Sequence, residues 1–128
     1  MTSLQKSVLI VEDEFLIAIG LSSQVEDMGL VVCATADTAD SAVALAKEHR
    51  PAVILMDVRL RGVRDGVDAA LEIHHHLGSK VIFITGSREQ ATIERISQDH
   101  PFAILFKPVS ERQLQGTIAD AMRATAME

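Results

Sequence analysis

Charged and hydroxyl side chains follow the short apolar runs of this sequence, at the points where buried strands would end. An acidic run, Glu12–Glu14, comes after the first apolar run, and Asp57 comes after the third. Thr85 ends the fourth run, and Lys107 follows the fifth. Carboxylates that lie close together repel one another and raise each other's pKa. A hard divalent cation such as Mg²⁺, which prefers oxygen ligands, relieves that repulsion.

These residue types together could carry out covalent chemistry on phosphorus. An ionised Asp beside Mg²⁺ can attack a phosphoryl group as a nucleophile and form an aspartyl phosphate. The phosphoryl oxygens then require neutralisation by the metal, an ammonium group and a hydroxyl or backbone donor. Asp57, Lys107 and Thr85 have the side chains for these roles, provided that the fold brings them to one place.

Five apolar runs predict the strands that must position these residues. Each run is unbroken and rich in branched or aromatic residues, which is typical of strands that are covered on both faces of a sheet. The predicted strands are Ser7–Val11, Leu30–Ala34, Ala52–Met56, Lys80–Thr85 and Phe102–Phe106.

The longer segments between these runs have the apolar spacing of amphipathic helices. Ser87 and Gln90 predict a capping box at the start of the fourth helix, and Ser110 predicts the N-cap of the fifth. The predicted helices are Glu14–Met28, Thr38–His49, Gly66–Leu77, Ser87–Asp99 and Ser110–Met127. Their apolar stripes include Ala18, Leu21, Val25 and Met28; Ala39, Ala42, Val43 and Ala46; Val67, Ala70, Leu71 and His74; Ala91, Ile93 and Ile96; and Leu114, Ile118, Ala121 and Met122.

This alternation of strands and helices predicts an α/β fold with a parallel sheet and helices on both of its faces. In such sheets ligands bind beyond the carboxyl ends of the strands, where the polar residues lie in this sequence. The 128 residues correspond to one domain, expected over 1–128 with its core at about 7–124.

The overall composition narrows the classes of function. The net charge of −6 comes without a basic stripe, so direct binding to nucleic acid is not expected. Cys33 is the one cysteine in the sequence, which fits a reducing, cytoplasmic location. No apolar run approaches the length of a membrane span, and the first residues lack the apolar core of a signal peptide.

Five motifs in order give the sequence a resemblance to the receiver domain of two-component response regulators, over about residues 7–122. Asp13 and Asp57 are 44 residues apart, and Thr85 and Lys107 are 22 apart, as in that family. The resemblance implies a flavodoxin-like (βα)5 fold with five parallel strands in the order 2-1-3-4-5. The motifs are Val8–Glu14, Val53–Asp57, Asp65–Gly66, Phe83–Gly86 and Phe106–Pro108.

The resemblance also implies roles for the residues that would handle the phosphoryl group. Asp57 would accept it from a histidine kinase or a histidine phosphotransfer protein. Thr85 would sense the group, Lys107 would pair with it, and the bond between Lys107 and Pro108 would be cis. The protein would catalyse only its own phosphorylation and dephosphorylation, and would then bind an unidentified downstream protein or pass the phosphoryl group along a relay.

A Mg²⁺ ion is the cofactor that the resemblance implies. Asp13 would bind it directly and Glu12 through water. Asp57 and the backbone carbonyl of Arg59 would complete the set of ligands from the protein.

Three features depart from the family pattern. Arg61 stands where the family often has proline, and the loop from Arg59 to Asp65 is one residue longer than usual. Ile104 replaces the usual Tyr or Phe, so we expect the signal to leave through the Thr85–Arg88 loop and the helix that follows it. The face formed by helix four, strand five and helix five is then a candidate surface for a homodimer.

Three other readings of the sequence remain open. A phosphatase with an aspartyl nucleophile usually has a second acid two residues later, where this sequence has Arg59. A flavodoxin-like FMN-binding protein needs a phosphate loop rich in glycine and hydroxyl groups, where this sequence has three acids. The third is a binding module of the same fold that is not phosphorylated. With no residues left for an output domain after helix five, a single-domain response regulator is the favoured interpretation.

Overall fold

Five parallel strands form the central sheet of the computed structural model, which describes residues 7–127. The strands lie in the order β2-β1-β3-β4-β5, and each adjacent pair is parallel. This is the flavodoxin-like (βα)5 topology that the resemblance implied. The strands are β1 (Ser7–Val11), β2 (Val31–Ala36), β3 (Val53–Asp57), β4 (Lys80–Thr85) and β5 (Ala103–Phe106).

One helix follows each strand, and the helices cover both faces of the sheet. Helices α1 and α5 pack on one face, where Val25 and Ile118 are fully buried. Helices α2, α3 and α4 pack on the other, where Ala46 and Ile73 are fully buried. The helices are α1 (Phe15–Asp27), α2 (Ala39–His49), α3 (Gly66–His76), α4 (Gln90–Gln98) and α5 (Glu111–Ala126). None of them is long and apolar enough to cross a membrane.

The helices on both faces of the sheet explain why the sequences of the three central strands are continuously apolar. Side chains alternate between the two faces of a strand, and both faces of β1, β3 and β4 are covered by helices. Leu9 and Phe83 therefore face the α2 side and Ile10 and Ile82 face the α1 side, all with no exposed surface.

The edge strand β2 differs from the prediction of a strand covered on both faces. It runs from Val31 to Ala36 rather than from Leu30 to Ala34, and Val31 is 55 % exposed. Its pairing with β1 is irregular, since Val8 is opposite Val32 whereas Leu9 is opposite Ala34. The extra residue is Cys33, whose Sγ donates a hydrogen bond to the carbonyl oxygen of Val8 (3.5 Å). An apolar run is therefore not by itself evidence that a strand lies inside the sheet.

The helical stripes of α1, α2 and α5 pack as predicted, but those of α3 and α4 do so in part. Leu71 was expected inside and is 49 % exposed, while Ile96 is the one residue of α4 that is fully buried. Ala91 is exposed and Ile93 is partly buried. Helix α4 is thus held with little apolar contact, which leaves more of its attachment to polar contacts.

The predicted capping box at Ser87 is wrong. Helix α4 begins at Gln90, and Glu89 is its N-cap residue without a side-chain capping bond. The hydroxyl of Ser87 instead accepts a hydrogen bond from the backbone N–H of Glu89 (3.2 Å), inside the preceding loop. Ser110 does cap α5, as predicted, and α5 continues to Ala126, two residues beyond the expected core.

The loop between β3 and α3 is tightly joined to the strand that carries Asp57. Asp65 is the N-cap of α3, and its side chain accepts a hydrogen bond from the backbone N–H of Asp68 (3.1 Å). The backbone N–H of Gly66 donates to the carbonyl oxygen of Val58 (2.7 Å). A Cβ atom at Gly66 would lie 2.0 Å from the carbonyl oxygen of Asp57, so this close approach requires glycine.

Polar contacts tie α4 to α3. The guanidinium of Arg95 donates to both carboxylate oxygens of Asp65 (2.9 and 3.3 Å). At the other end of α3, Nδ1 of His74 lies 3.0 Å from Oδ1 of the buried Asp99, the C-cap residue of α4. These contacts compensate for the small apolar area that α4 buries.

Candidate functional site

A cavity of about 820 Å³ opens beyond the carboxyl ends of the central strands. It lies where ligands bind in doubly wound sheets, as the strand order reverses there around β1 and β3. The polar residues predicted from the strand ends do meet at this edge. Asp13, Asp57, Thr85 and Lys107 line the cavity, together with Arg59 and Arg88.

Three carboxylates form the base of the site. Glu12, Asp13 and Asp57 each place one carboxylate oxygen within 4.8 Å of the others. Glu12 and Asp57 are buried, whereas Asp13 is partly exposed. Adjacent positions at the ends of β1 and β3 bring them together, because those two strands are paired in parallel register.

Lys107 supplies the compensating positive charge. Its Nζ lies 3.5 Å from Oδ2 of Asp57 and 3.8 Å from Oε1 of Glu12. The peptide bond between Lys107 and Pro108 is cis, in agreement with the expectation from the resemblance. The backbone N–H of Lys107 donates to the carbonyl oxygen of Thr85 (2.8 Å), which ties the ends of β4 and β5 together.

The pKa of Glu12 is raised to about 7, chiefly by burial and also by the neighbouring charge of Asp57. A hydrogen bond from the backbone N–H of Glu14 (3.1 Å) and the charge of Lys107 act in the opposite direction. One ammonium group therefore does not neutralise three neighbouring carboxylates. Such a set of oxygen atoms is suited to a divalent cation.

We expect the stability of the metal-free protein to fall as the pH rises from about 5 to about 7.5. The pKa of Glu12 is raised from 4.5 in the unfolded chain to about 7 in the folded one. Between these values the folded state binds more protons, so deprotonation favours unfolding. Each unit of pKa shift corresponds to about 1.4 kcal/mol. Urea unfolding in the presence of a chelator should show a loss of about 2 kcal/mol across this range.

Glu12→Gln is expected to remove most of this pH dependence and to stabilise the protein at neutral pH. Glu26→Gln changes the same charge at an exposed position of α1 and serves as the control. An unchanged pH slope in Glu12→Gln would show that burial of Glu12 does not govern this part of the stability curve.

Thr85 begins a loop that carries further polar groups to the rim of the cavity. Its Oγ1 accepts a hydrogen bond from the backbone N–H of Ser87 (3.1 Å). Farther along, the guanidinium of Arg88 lies over the ring of Phe106, with its Cζ 4.4 Å from the ring centroid. The spacing of residues in the sequence does not predict this contact. The one feature of the sequence that could have indicated it is the aromatic residue Phe106, directly before Lys107.

Arg59 lines the same cavity, and its side chain is exposed. The proposed role of its backbone carbonyl in binding a metal stays a prediction. Arg61, which stands where the family often has proline, forms an isolated parallel β-bridge with Thr38 in the neighbouring β2–α2 loop. The longer loop turns at Gly62, whose φ is +98°, a conformation that favours glycine.

The fold and the site define a doubly wound α/β protein with an acidic pocket at the switch point of its sheet. Within that class, the chain belongs to the response regulator receiver domain family, because the model of that family matches residues 8–119. The resemblance stated from the sequence motifs is thereby confirmed.

Two curated relatives are similar to this chain over part of their own length. The chain is 34 % identical over 105 residues to the transcriptional regulatory protein PdtaR of Mycobacterium tuberculosis, covering 82 % of this chain and 51 % of that protein. It is 36 % identical over 117 residues to the phyllosphere-induced regulator PhyR of Methylorubrum extorquens, covering 90 % and 43 %. The chain therefore spans about half the length of these relatives or less.

Solved structures agree with the fold. The signal receiver domain of a modulated diguanylate cyclase from Desulfovibrio desulfuricans G20 superposes with a TM-score of 0.88 at 36 % identity, covering 94 % of this chain and 96 % of that one. The signal receiver domain of the response regulator NarL from Mycobacterium tuberculosis has a TM-score of 0.84 at 26 % identity, covering 91 % and 95 %.

Proposed function

We propose that this receiver domain accepts a phosphoryl group on Asp57. The observation that carries the proposal is the position of the Asp57 carboxylate, 3.5 Å from the ammonium of Lys107 and grouped with two further carboxylates. Incubation with Mg²⁺ and a small phosphodonor, followed by measurement of the intact mass, tests it directly. A gain of one phosphoryl group is the expected result.

The reaction is a nucleophilic displacement at phosphorus. A carboxylate oxygen of Asp57 forms the new bond to phosphorus, and the bond between phosphorus and the donor nitrogen or oxygen breaks. The electron pair of that bond leaves with the donor group, which takes up a proton. Lys107 and Thr85 then provide an ammonium and a hydroxyl group for the phosphoryl oxygens. Hydrolysis of the aspartyl phosphate by water returns the carboxylate and phosphate.

The residues present fit a Mg²⁺ ion. Mg²⁺ is bound by oxygen ligands from a few carboxylates, and this site groups three carboxylates with a single nearby ammonium. Glu12, Asp13 and Asp57, with the carbonyl of Arg59, would hold the ion. When bound, it would neutralise negative charge on the phosphoryl oxygens.

We expect Mg²⁺ to raise the melting temperature of the protein by several degrees, because a ligand that binds only the folded state stabilises it. Asp13→Asn should lose most of this rise, since it removes a charged ligand from the site. Thermal unfolding with MgCl₂, against NaCl at equal ionic strength, measures the effect. Asp27→Asn, an exposed position near the end of α1, should retain the full rise.

An equal rise in melting temperature in Asp13→Asn and in the unchanged protein would overturn the assignment of Asp13 as a metal ligand. A rise that NaCl reproduces would show that screening of the carboxylates, rather than binding of the metal, is responsible.

An exposed apolar surface beside the pocket supports a protein as the phosphoryl donor. Phe15 and Leu16, in the first turn of α1, are 75 % and 80 % exposed directly after the acidic residues that follow β1. Exposed apolar patches of this kind favour contact with another protein. The proposed donor is a histidine kinase or histidine phosphotransfer protein. In this proposal the receiver domain lies in the cytoplasm and catalyses no reaction on other substrates.

The downstream partner is an unidentified protein rather than nucleic acid. The acidic composition, with a net charge of −6, opposes binding to phosphate backbones. The face of α4, β5 and α5 is the proposed surface for that partner or for a second copy of the chain.

A further inference from the structure

The stack of Arg88 on Phe106 lies at the rim of the phosphoacceptor pocket. Phe106 is the last residue of β5, it is opposite Thr85 in the register of β4 and β5, and it directly precedes Lys107. Arg88 lines the same cavity as Asp57. The stack therefore holds a guanidinium group at the rim of the cavity that Asp57 and Lys107 also line.

The guanidinium of Arg88 is held weakly. Arg88 is exposed, and among residues 7–127 its side chain contacts the ring of Phe106 but has no carboxylate in ion-pairing distance. An exposed cation–π contact is weaker than a bidentate, charge-assisted bond from a guanidinium to phosphate oxygens. A phosphoryl group on Asp57 would therefore bind the guanidinium of Arg88 more strongly than the ring of Phe106 does.

The loop that carries Arg88 would transmit such a movement to α4. Arg88 is two residues before the first residue of α4, and hydrogen bonds from the N–H groups of Ser87 and Glu89 keep the short loop folded. Helix α4 itself has one fully buried side chain, that of Ile96. Little apolar contact opposes a displacement of this helix.

Position 104 does not offer the usual route for the signal. Ile104 is partly buried and packs against the core on the α2 side of the sheet. It is stiff at χ1 and has no ring that could move between an exposed and a buried position. A residue of the loop between β4 and α4 can take over this role.

We infer that Arg88 is this coupling residue: on phosphorylation its guanidinium leaves the ring of Phe106, binds the phosphoryl oxygens on Asp57 and draws the start of α4 toward the pocket. The inference rests on the proposed phosphorylation of Asp57. It adds a ligand for the phosphoryl group beside Lys107 and Thr85, and it assigns Phe106 the role of holding the guanidinium in the unphosphorylated state.

Two variants on opposite sides of the stack test the inference. Each protein is treated with Mg²⁺ and acetyl phosphate, its phosphorylated fraction is measured by intact mass, and amide hydrogen exchange is followed in α4. The unchanged protein should gain one phosphoryl group and change its exchange in α4. Arg88→Gln should still be phosphorylated, more slowly, and should lose most of the change in α4.

Phe106→Leu should retain the response of α4, because it frees Arg88 without removing it. Arg112→Gln, which removes an exposed positive charge in the first turn of α5, is the matched control and should also retain the response. Far-ultraviolet circular dichroism verifies that each variant is folded.

A full α4 response in phosphorylated Arg88→Gln would overturn the inference. So would an equal loss in Arg88→Gln and Phe106→Leu, because the stack would then be a structural contact only. Phosphorylation of the unchanged protein with no change of hydrogen exchange in α4 would overturn the inference but leave the proposed function intact. Absence of any mass gain in the unchanged protein would instead overturn the proposed function on which it rests.

Discussion

Asp57→Asn is expected to abolish the gain of a phosphoryl group altogether. The amide that replaces the carboxylate has nearly the same size but no anionic oxygen to attack phosphorus. The neighbouring carboxylates of Glu12 and Asp13 are unsuited to replace it, because they would hold the metal. Intact mass after incubation with Mg²⁺ and acetyl phosphate measures the effect.

This loss should not arise from unfolding. Asp57→Asn removes one of three neighbouring carboxylates, which lowers their repulsion and favours the folded state. Asp27→Asn is the matched control and should incorporate phosphoryl groups at the rate of the unchanged protein. Labelling of Asp57→Asn at the normal level would place the phosphoacceptor at another residue, and excess chelator that leaves the rate unchanged would argue against the metal.

Gly66→Ala is expected to destabilise the protein by about 3 kcal/mol or more, at the upper end of the effects of overpacking. The new Cβ would lie 2.0 Å from the carbonyl oxygen of Asp57 and 3.1 Å from the side chain of Met56. The first of these neighbours is backbone of a central strand, so it cannot move aside by changing a rotamer. Urea unfolding followed by circular dichroism measures the free energy of unfolding.

Gly116→Ala provides the matched control for this substitution. Gly116 lies within α5, and a Cβ atom there would have no heavy atom within 4 Å. Alanine favours the helix over glycine by about 1 kcal/mol, so this variant should be more stable than the unchanged protein. Equal stability of Gly66→Ala and the unchanged protein would show that α3 can move away from the end of β3 at little cost.

The order of strands and helices could be predicted because nearly every element has its own local signal. Continuous apolar runs located β1, β3 and β4, where helices cover both faces. The same signal misplaced the ends of β2, because an edge strand obtains its boundaries from its pairing with β1 rather than from its own composition. The position of Ser87 likewise suggested a cap, but the loop uses its hydroxyl before the helix begins.

The candidate site could be predicted in part for a similar reason. Asp57, Thr85 and Lys107 could be predicted as site residues from their positions at the ends of the apolar runs. The carboxyl ends of parallel strands meet at one edge of the sheet, which brings such residues together. The stack of Arg88 on Phe106 depends on the path of a loop, which periodicity does not describe. The raised pKa of Glu12 depends on burial and on neighbours that are distant in the sequence. Contacts of this kind require the three-dimensional arrangement.

The irregular pairing of β2 has a consequence for the behaviour of the protein at high concentration. A straight, exposed edge strand offers unpaired N–H and C=O groups to other chains and favours aggregation, whereas a bulge twists such an edge away. The bulge at Cys33 interrupts β2 near its start, beside the exposed side chain of Val31. This outer edge is therefore a poor template for a strand from another molecule, and the bulge lowers the tendency of the domain to associate through β2.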